Sequence, residues 1–173
     1  GLEDSKITAY HVGFVLGPCI NASGRLDTAA RSLALLNAEN QDEAAKLAGD
    51  LTALNQSRKS LTEEGKEAAI HQVENTDLKD DRVLVIYLPD CHESIAGIIA
   101  GRIREKYHKP TFVLTKGENS AKGSGRSIEA YSMYEELVRC ADLLIQFGGH
   151  PMAAGLSIEE KNIEKFRRRL NQN

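Results

Sequence analysis

The strongest constraint on the fold is Val83-Leu84-Val85-Ile86-Tyr87-Leu88, an unbroken apolar run of strand length. A strand with one wet face alternates apolar and polar residues, so a strand without alternation is expected to be buried on both faces. Pro89-Asp90 ends the run. Ser94 then reads as the cap of a helix carrying Ile95, Ile98, Ile99 and Ile103 on one side, and Lys109-Pro110 leads into a second strand, Thr111-Phe112-Val113-Leu114. Strand, helix and strand in so short a span form a right-handed βαβ unit, which implies a parallel pair.

Beyond that unit, Lys116-Gly117-Glu118-Asn119-Ser120 is turn chemistry, and residues 121–128 return as a glycine-rich strand. Ser132 with Glu135 has capping-box spacing and starts a helix through Cys140. Leu143-Leu144-Ile145-Gln146-Phe147 follows, then a Gly148-Gly149-His150 turn and a strand over residues 154–158. A last helix, capped by Ser157 with Glu160, buries Ile163, Phe166 and Leu170 and exposes Arg167, Arg168 and Arg169. The fold class expected is α/β, a mixed sheet with flanking helices preceded by a long connecting helix.

Upstream, Gly17-Pro18 and Ser23-Gly24 read as turns that leave Asn21 and Arg25 as polar groups in a glycine-bent connection. A helix starts at Asp27 and stops near Asn37. From Asn40, with Glu43 at capping-box spacing, helix formers continue almost unbroken to Val73. Such a helix measures about 50 Å at 1.5 Å per residue, longer than a small domain is wide, which suits a connector between two domains. The polar stretch from Asn75 to Asp81 marks a boundary, and the expected division is 1–39, 40–76 and 77–173.

Hydrophobic residues make up 41% of the 173, enough for one good core with an appended helical piece. No apolar run approaches membrane-spanning length, and no charged-then-apolar leader opens the chain. Its first residues lack an initiator Met, as expected of a fragment of a longer protein. Three widely spaced cysteines, Cys19, Cys91 and Cys140, argue against a disulfide framework and against a Cys-x-x-Cys metal site, and suit a reducing cytoplasm. With a net charge of −3, any nucleic-acid binding must use a local basic groove rather than a globally basic surface.

Ala121-Lys122-Gly123-Ser124-Gly125-Arg126-Ser127 and Phe147-Gly148-Gly149-His150 read together as an anion site. Glycines let backbone approach a ligand, and Lys, Ser, Arg and His hold phosphate oxygens. Neither piece is a purine-nucleotide fingerprint. His92, ahead of the helix that starts near Ser94, lies where the positive end of a helix dipole favours an anion. The small residues Ala96, Gly97, Ala100 and Gly101 either admit another backbone or clear space for a ligand. Bond-breaking chemistry is not evident. No clustered Asp and His ligands for paired metals occur, and a Ser124 or Ser127 pair with His150 lacks an orienting acid.

The segments Ile20-Asn21-Ala22-Ser23-Gly24-Arg25-Leu26, His92 followed by Ile95-Ala96-Gly97-Ile98-Ile99-Ala100, residues 122–127 and residues 147–156 resemble, in order and spacing, the C-terminal part of the RecJ family. These are bacterial single-strand-specific 5′ to 3′ DNA exonucleases of the DHH phosphoesterase superfamily, acting in DNA repair and recombination. The resemblance runs from about Ile7 to Leu170, and Phe147-Gly148-Gly149-His150-Pro151-Met152-Ala153-Ala154-Gly155-Leu156 is its most specific stretch. It implies that residues 1–39 are the tail of a catalytic lobe, 40–76 a connecting helix and 77–173 the DHH-associated substrate-binding domain. By the same resemblance, Ser124 and Arg126 grip a terminal 5′-phosphate. Lys122, Ser127, Gly148, Gly149 and His150 line the cleft near the scissile phosphate, and Asn21 and Arg25 contact the strand from the other side.

The resemblance further implies Mn or Mg held by an N-terminal lobe outside this chain, no catalytic or metal residue within it, and no activity for the fragment alone. It implies single-stranded DNA and a single-stranded-DNA-binding protein as partners, with no membrane. Family members commonly carry Trp where this chain has Cys91, which removes a base-stacking surface. Two other readings remain: a DHH-family phosphodiesterase acting on short oligonucleotides or cyclic dinucleotides, and a non-catalytic nucleic-acid-binding module.

Overall fold

A computed structural model describes residues 6–172. Contacts divide the chain into two compact units, Gly1–Ser60 and Leu61–Asn173, and the division falls inside one helix, α4 (Gln41–Asn75).

In the first unit the expected glycine-bent connection is helical instead. It comprises α1 (Ala9–His11), a π-helical turn over Val12–Leu16, and α2 (Gly17–Leu26). Pro18 accounts for the wide turn. It has no N–H and its ring crowds the carbonyl four residues back, so the turn before it opens and the Gly17 N–H donates to the Val12 carbonyl. Ser23 and Ser32 are buried, their hydroxyl oxygens 2.7 Å apart and 3.0 and 2.8 Å from the Ile20 carbonyl oxygen, which ties α3 (Ala30–Leu36) to α2. Asp27, expected to open the next helix, sits at the break with φ −147° and ψ −119° and pairs with Arg31. Asn40 caps α4 as its spacing predicts, its side-chain oxygen accepting from Glu43 N–H at 2.9 Å.

In the second unit β1 (Leu84–Tyr87), α5 (Glu93–Tyr107) and β2 (Thr111–Lys116) form the βαβ unit, with β1 and β2 parallel and Leu84 opposite Thr111. Then follow β3 (Ala121–Arg126), α6 (Met133–Arg139), β4 (Leu144–His150), β5 (Ala153–Ile158) and α7 (Ile163–Asn171). The sheet order is β1-β2-β3-β5-β4, and every pair after the first is antiparallel. Alternate residues of β1 and β2 enter two different cores. Leu84, Ile86 and Val113 pack with Ile95, Ile99 and Ile103 of α5 and Ala69 and Val73 of α4. Val83, Val85, Phe112 and Leu114 pack with Met133, Leu137, Phe166 and Leu170 of α6 and α7. Burial on both faces is the physical reason for the unbroken apolar run.

Four local expectations differ from the structure. His92, not Ser94, is the cap of α5, its Nδ1 accepting from the Ser94 N–H at 3.2 Å. The Gly148-Gly149-His150 stretch is strand rather than turn. It pairs with β5 through Gly148–Gly155, Gly149–Ala154 and His150–Ala153, and Pro151-Met152 makes the reversal. Ser157 belongs to β5, and a 3₁₀ turn over Glu160–Asn162 precedes α7. Ser132 occupies the cap position of α6 without a side-chain capping bond.

The C-terminal helix is clamped to the start of β1. Asn171 accepts from the Arg82 and Val83 N–H groups at 2.7 and 2.9 Å and donates to the Val83 carbonyl at 3.0 Å. Beside it Arg167, expected to be exposed, is instead only 15% exposed because it binds Asp81 at 2.5 Å and Asp77 at 3.0 Å. The Arg167 hydrogen bond holds the Asp77 carboxyl below its ordinary value. Asn171→Ala leaves the buried Val83 amide and carbonyl without partners and is expected to cost about 1–3 kcal/mol in urea denaturation. The exposed neighbour change Arg168→Ala should stay within about 0.5 kcal/mol.

Candidate nucleic-acid interface

The α5 face of the sheet is only partly covered. Helix α5 packs on β2 and β3, leaving β5 and the edge strand β4 open beside it. Residues opposite one another in antiparallel strands share a face, so three rows can be read across β3, β5 and β4. They are Lys122–Ser157–Gln146, Ser124–Gly155–Gly148 and Arg126–Ala153–His150. The intervening residues, Gly123, Gly125, Ala154, Leu156, Gly149 and Phe147, face the α6–α7 side.

Above the first two of these rows lies a groove of about 440 Å³. Its floor includes Lys122, Ser124, Gly148 and Gly155, and its wall is the first turn of α5 at Glu93, Ser94 and Ala96. The positive end of a 15-residue helix therefore faces Lys122 and Ser124 across the groove. The small face of α5 makes room for side chains of β3. A Cβ on Gly97 would come within 2.7 Å of the Arg126 guanidinium and 2.8 Å of Ser124 Oγ, and Gly101 lies over the Arg126 stem. Ser124 and Arg126 thus converge on one spot at Gly97. Arg126 Nη1 also donates to the Gly125 carbonyl at 2.7 Å, which fixes the direction of its fork.

The other candidates separate. His150 is exposed at the sheet edge, in the Arg126 row but two strands away, about 10 Å by strand spacing, and its Nδ1 accepts from the Met152 N–H at 3.3 Å. Ser127 is fully buried, its hydroxyl donating to the Tyr131 carbonyl at 2.5 Å. Ser124 is two strands from His150 in this register and the Ser127 hydroxyl is taken by the Tyr131 carbonyl, so neither serine is paired with His150. His92 and Lys122 share a second, wider trough of about 850 Å³ at the carboxyl ends of β1 and β2. Asn21 and Arg25 lie one helical turn apart on α2 in the first unit, both exposed, a spacing that a loop reading cannot explain. Cys91 is half-buried, and burial raises its thiol pKa, which keeps it protonated. Among the described residues no group of three or more His, Cys, Asp or Glu side chains is placed to hold a metal ion, so the residues present do not fit one. No described helix is long and apolar enough to cross a membrane.

Three lining residues escaped sequence reasoning: Gln146, hidden in an apolar run, Gly155, and Ser157, which has helix-cap spacing. The signal that could have found them is the period-2 alternation of β4 and β5, legible only once the Gly-Gly-His stretch is known to be strand.

Residues 80–173 match the DHHA1 domain family. The chain belongs to that family. This DHHA1 chain is 39% identical to the single-stranded-DNA-specific exonuclease RecJ of Salmonella typhimurium, over 98% of its own length and 31% of that protein's. Two solved structures share its fold over 95% of its length. They are RecJ in complex with Mg²⁺ from Thermus thermophilus, at 33% identity and TM-score 0.85, and exonuclease RecJ bound to manganese, at 34% identity and TM-score 0.83. The chain covers 25% and 40% of those two chains, so it spans well under half of the relatives it matches. The mixed sheet preceded by a long helix is thus the DHHA1 fold as it occurs in RecJ.

The glycines of this DHHA1 domain separate folding from surface. Gly149 has φ +146°, and a Cβ there would strike the Ala153 carbonyl oxygen, whereas a Cβ at Gly148 meets nothing within 4 Å and at Gly155 only the Gly123 carbonyl oxygen at 3.8 Å. Gly149→Ala is expected to cost about 1–3 kcal/mol through its backbone. Gly148→Ala and Gly155→Ala should be neutral or stabilising by about 0.5–1 kcal/mol, since glycine weakens a strand. Thermal or urea denaturation of the three variants checks the order.

Proposed function

We propose that this chain is the substrate-holding part of a RecJ-like single-stranded-DNA-specific 5′ to 3′ exonuclease and that its groove binds the 5′-phosphate of the strand. The observation that carries the reading is the convergence of Ser124 and Arg126 at Gly97, beside the first turn of α5 and above the bare Gly155–Gly148 floor. The Arg126 fork takes two phosphate oxygens, Ser124 Oγ donates to one of them, and the helix end adds favourable potential. The empty floor lets sugar and backbone lie flat.

On this reading residues 1–39 are the end of the catalytic lobe, 40–76 the connector and 77–173 the substrate-binding domain. The divalent metals, Mg or Mn, supply hydrolysis from residues outside this chain, and the fragment alone is inactive. What this chain's residues do is bind, orient and hold the strand end. Lys122 adds charge along the groove, and contact of Asn21 and Arg25 with the strand rests on the family resemblance alone. A single-stranded-DNA-binding protein as partner rests on the family resemblance alone.

The test is fluorescence anisotropy of a labelled single strand, with and without a 5′-phosphate, against the chain and its Arg126→Ala and Ser124→Ala variants. The phosphate should strengthen binding about tenfold or more, the worth of a charge-assisted hydrogen bond. Arg126→Ala should abolish that advantage and Ser124→Ala should halve it or more, with far-UV circular dichroism unchanged. Phosphorylated and unphosphorylated strands bound equally by all three proteins would overturn the reading.

A further inference from the structure

The groove is longer than one phosphate needs. Along a strand, residues two apart on one face are separated by about 7 Å, so the Lys122–Ser157–Gln146 row lies one such step from Ser124. Both rows line the same groove of about 440 Å³, within the usual range of about 300–1,000 Å³ for a small-ligand site. The chemistry of the two ends differs. At Ser124 there is a hydroxyl with the Arg126 guanidinium beside it under Gly97, and the rest of that row, Gly155 and Gly148, is bare backbone; at the far row stand an ammonium, a hydroxyl and a carboxamide. Gln146 offers two donors and an acceptor and is exposed at the sheet edge, and Ser157 is 8% exposed on the floor between Gln146 and Lys122.

Resting on the 5′-phosphate reading above, we propose that the Lys122–Ser157–Gln146 row is a second subsite. It takes the phosphodiester and sugar one nucleotide along from the terminal phosphate, so the smallest ligand that fills the groove is a 5′-phosphorylated dinucleotide. Lys122 meets the internal phosphate as a point charge. Ser157 donates to the same group, and Gln146, able both to donate and to accept, contacts the sugar edge. Glu93 also lines the groove, and its carboxylate repels a phosphate at that wall, which confines the anions to the two rows. No bond is made or broken in this step; it is binding and register.

The experiment is a calorimetric titration of the 173-residue chain with 5′-phosphothymidine, with the 5′-phosphorylated thymidine dinucleotide and with the same dinucleotide lacking its 5′-phosphate. Each is repeated on Gln146→Ala, Lys122→Met and Arg126→Ala. The phosphorylated dinucleotide should bind about tenfold or more tighter than the mononucleotide, and Lys122→Met or Gln146→Ala should shrink that ratio to about twofold. Arg126→Ala should weaken both phosphorylated ligands alike and leave the unphosphorylated dinucleotide as it was. Equal affinity of the mono- and dinucleotide in the unaltered chain, or a ratio undisturbed by both row variants, overturns the second subsite while the 5′-phosphate reading stands. A phosphorylated dinucleotide that binds no better than the unphosphorylated one overturns both.

Discussion

Burial of β1 and β2 on both faces is the interaction on which the second unit depends. It fixes α4 and α5 on one side and α6 and α7 on the other, through two separate apolar clusters. Each fully buried Leu, Ile or Phe side chain in them is worth about 1.5–3 kcal/mol relative to exposure. Because α5 is anchored on the β1–β2 side of the sheet, it reaches only as far as β3. The groove is what remains of that face, and its position follows from where the core was needed.

The same residue type serves three physical ends within this small sheet. Gly123 and Gly125 lie on the α6–α7 side, where a Cβ would strike Leu156 and Leu114 or Met133 and Phe112, so they thin the strand to let core side chains in. Gly97 and Gly149 are demanded by contacts: the first by Arg126 and Ser124 beneath it, the second by its backbone angle. Gly148 and Gly155 answer to neither requirement. They leave the groove floor beside Ser124 bare, and that lack of a folding reason is what ties them to the groove.

The βαβ unit was legible because absence of alternation is itself a pattern, and the long helix α4 because its cap, Asn40 with Glu43, and its length were both written locally. The strand over residues 148–150 was not legible, because Gly-Gly is turn chemistry unless a partner pairs with it, and the partner, β5, lies beyond the reversal at Pro151-Met152. The π-helical turn before Pro18 was hidden for the same kind of reason: Gly-Pro punctuates chains and helices alike. Ser124, Arg126 and Gly148 could be picked from composition of the motif, but that Arg126 lies against Gly97 and Gly101 while Ser127 is consumed by Tyr131 depends on which face of β3 each residue takes. Gln146 and Ser157 became visible only through register.

Net charge and local charge point in opposite directions in this protein, and the local term decides. A chain of net charge −3 repels a polyanion at long range. At the groove the balance is local: Lys122 on the floor and the positive end of α5 stand against Glu93 in the wall, and Arg126, packed beside Ser124 under Gly97, is held by the Gly125 carbonyl. Holding Arg126 matters as much as its charge, since ordering a long side chain on binding costs about 0.5–1.5 kcal/mol and here much of that ordering precedes the ligand. On the proposed function, such a surface gains little from diffusional steering, and its affinity comes from short contacts at the end of a strand. On the proposed reading, that is how it would tell a terminal phosphate from the many internal ones that a uniformly basic surface binds alike.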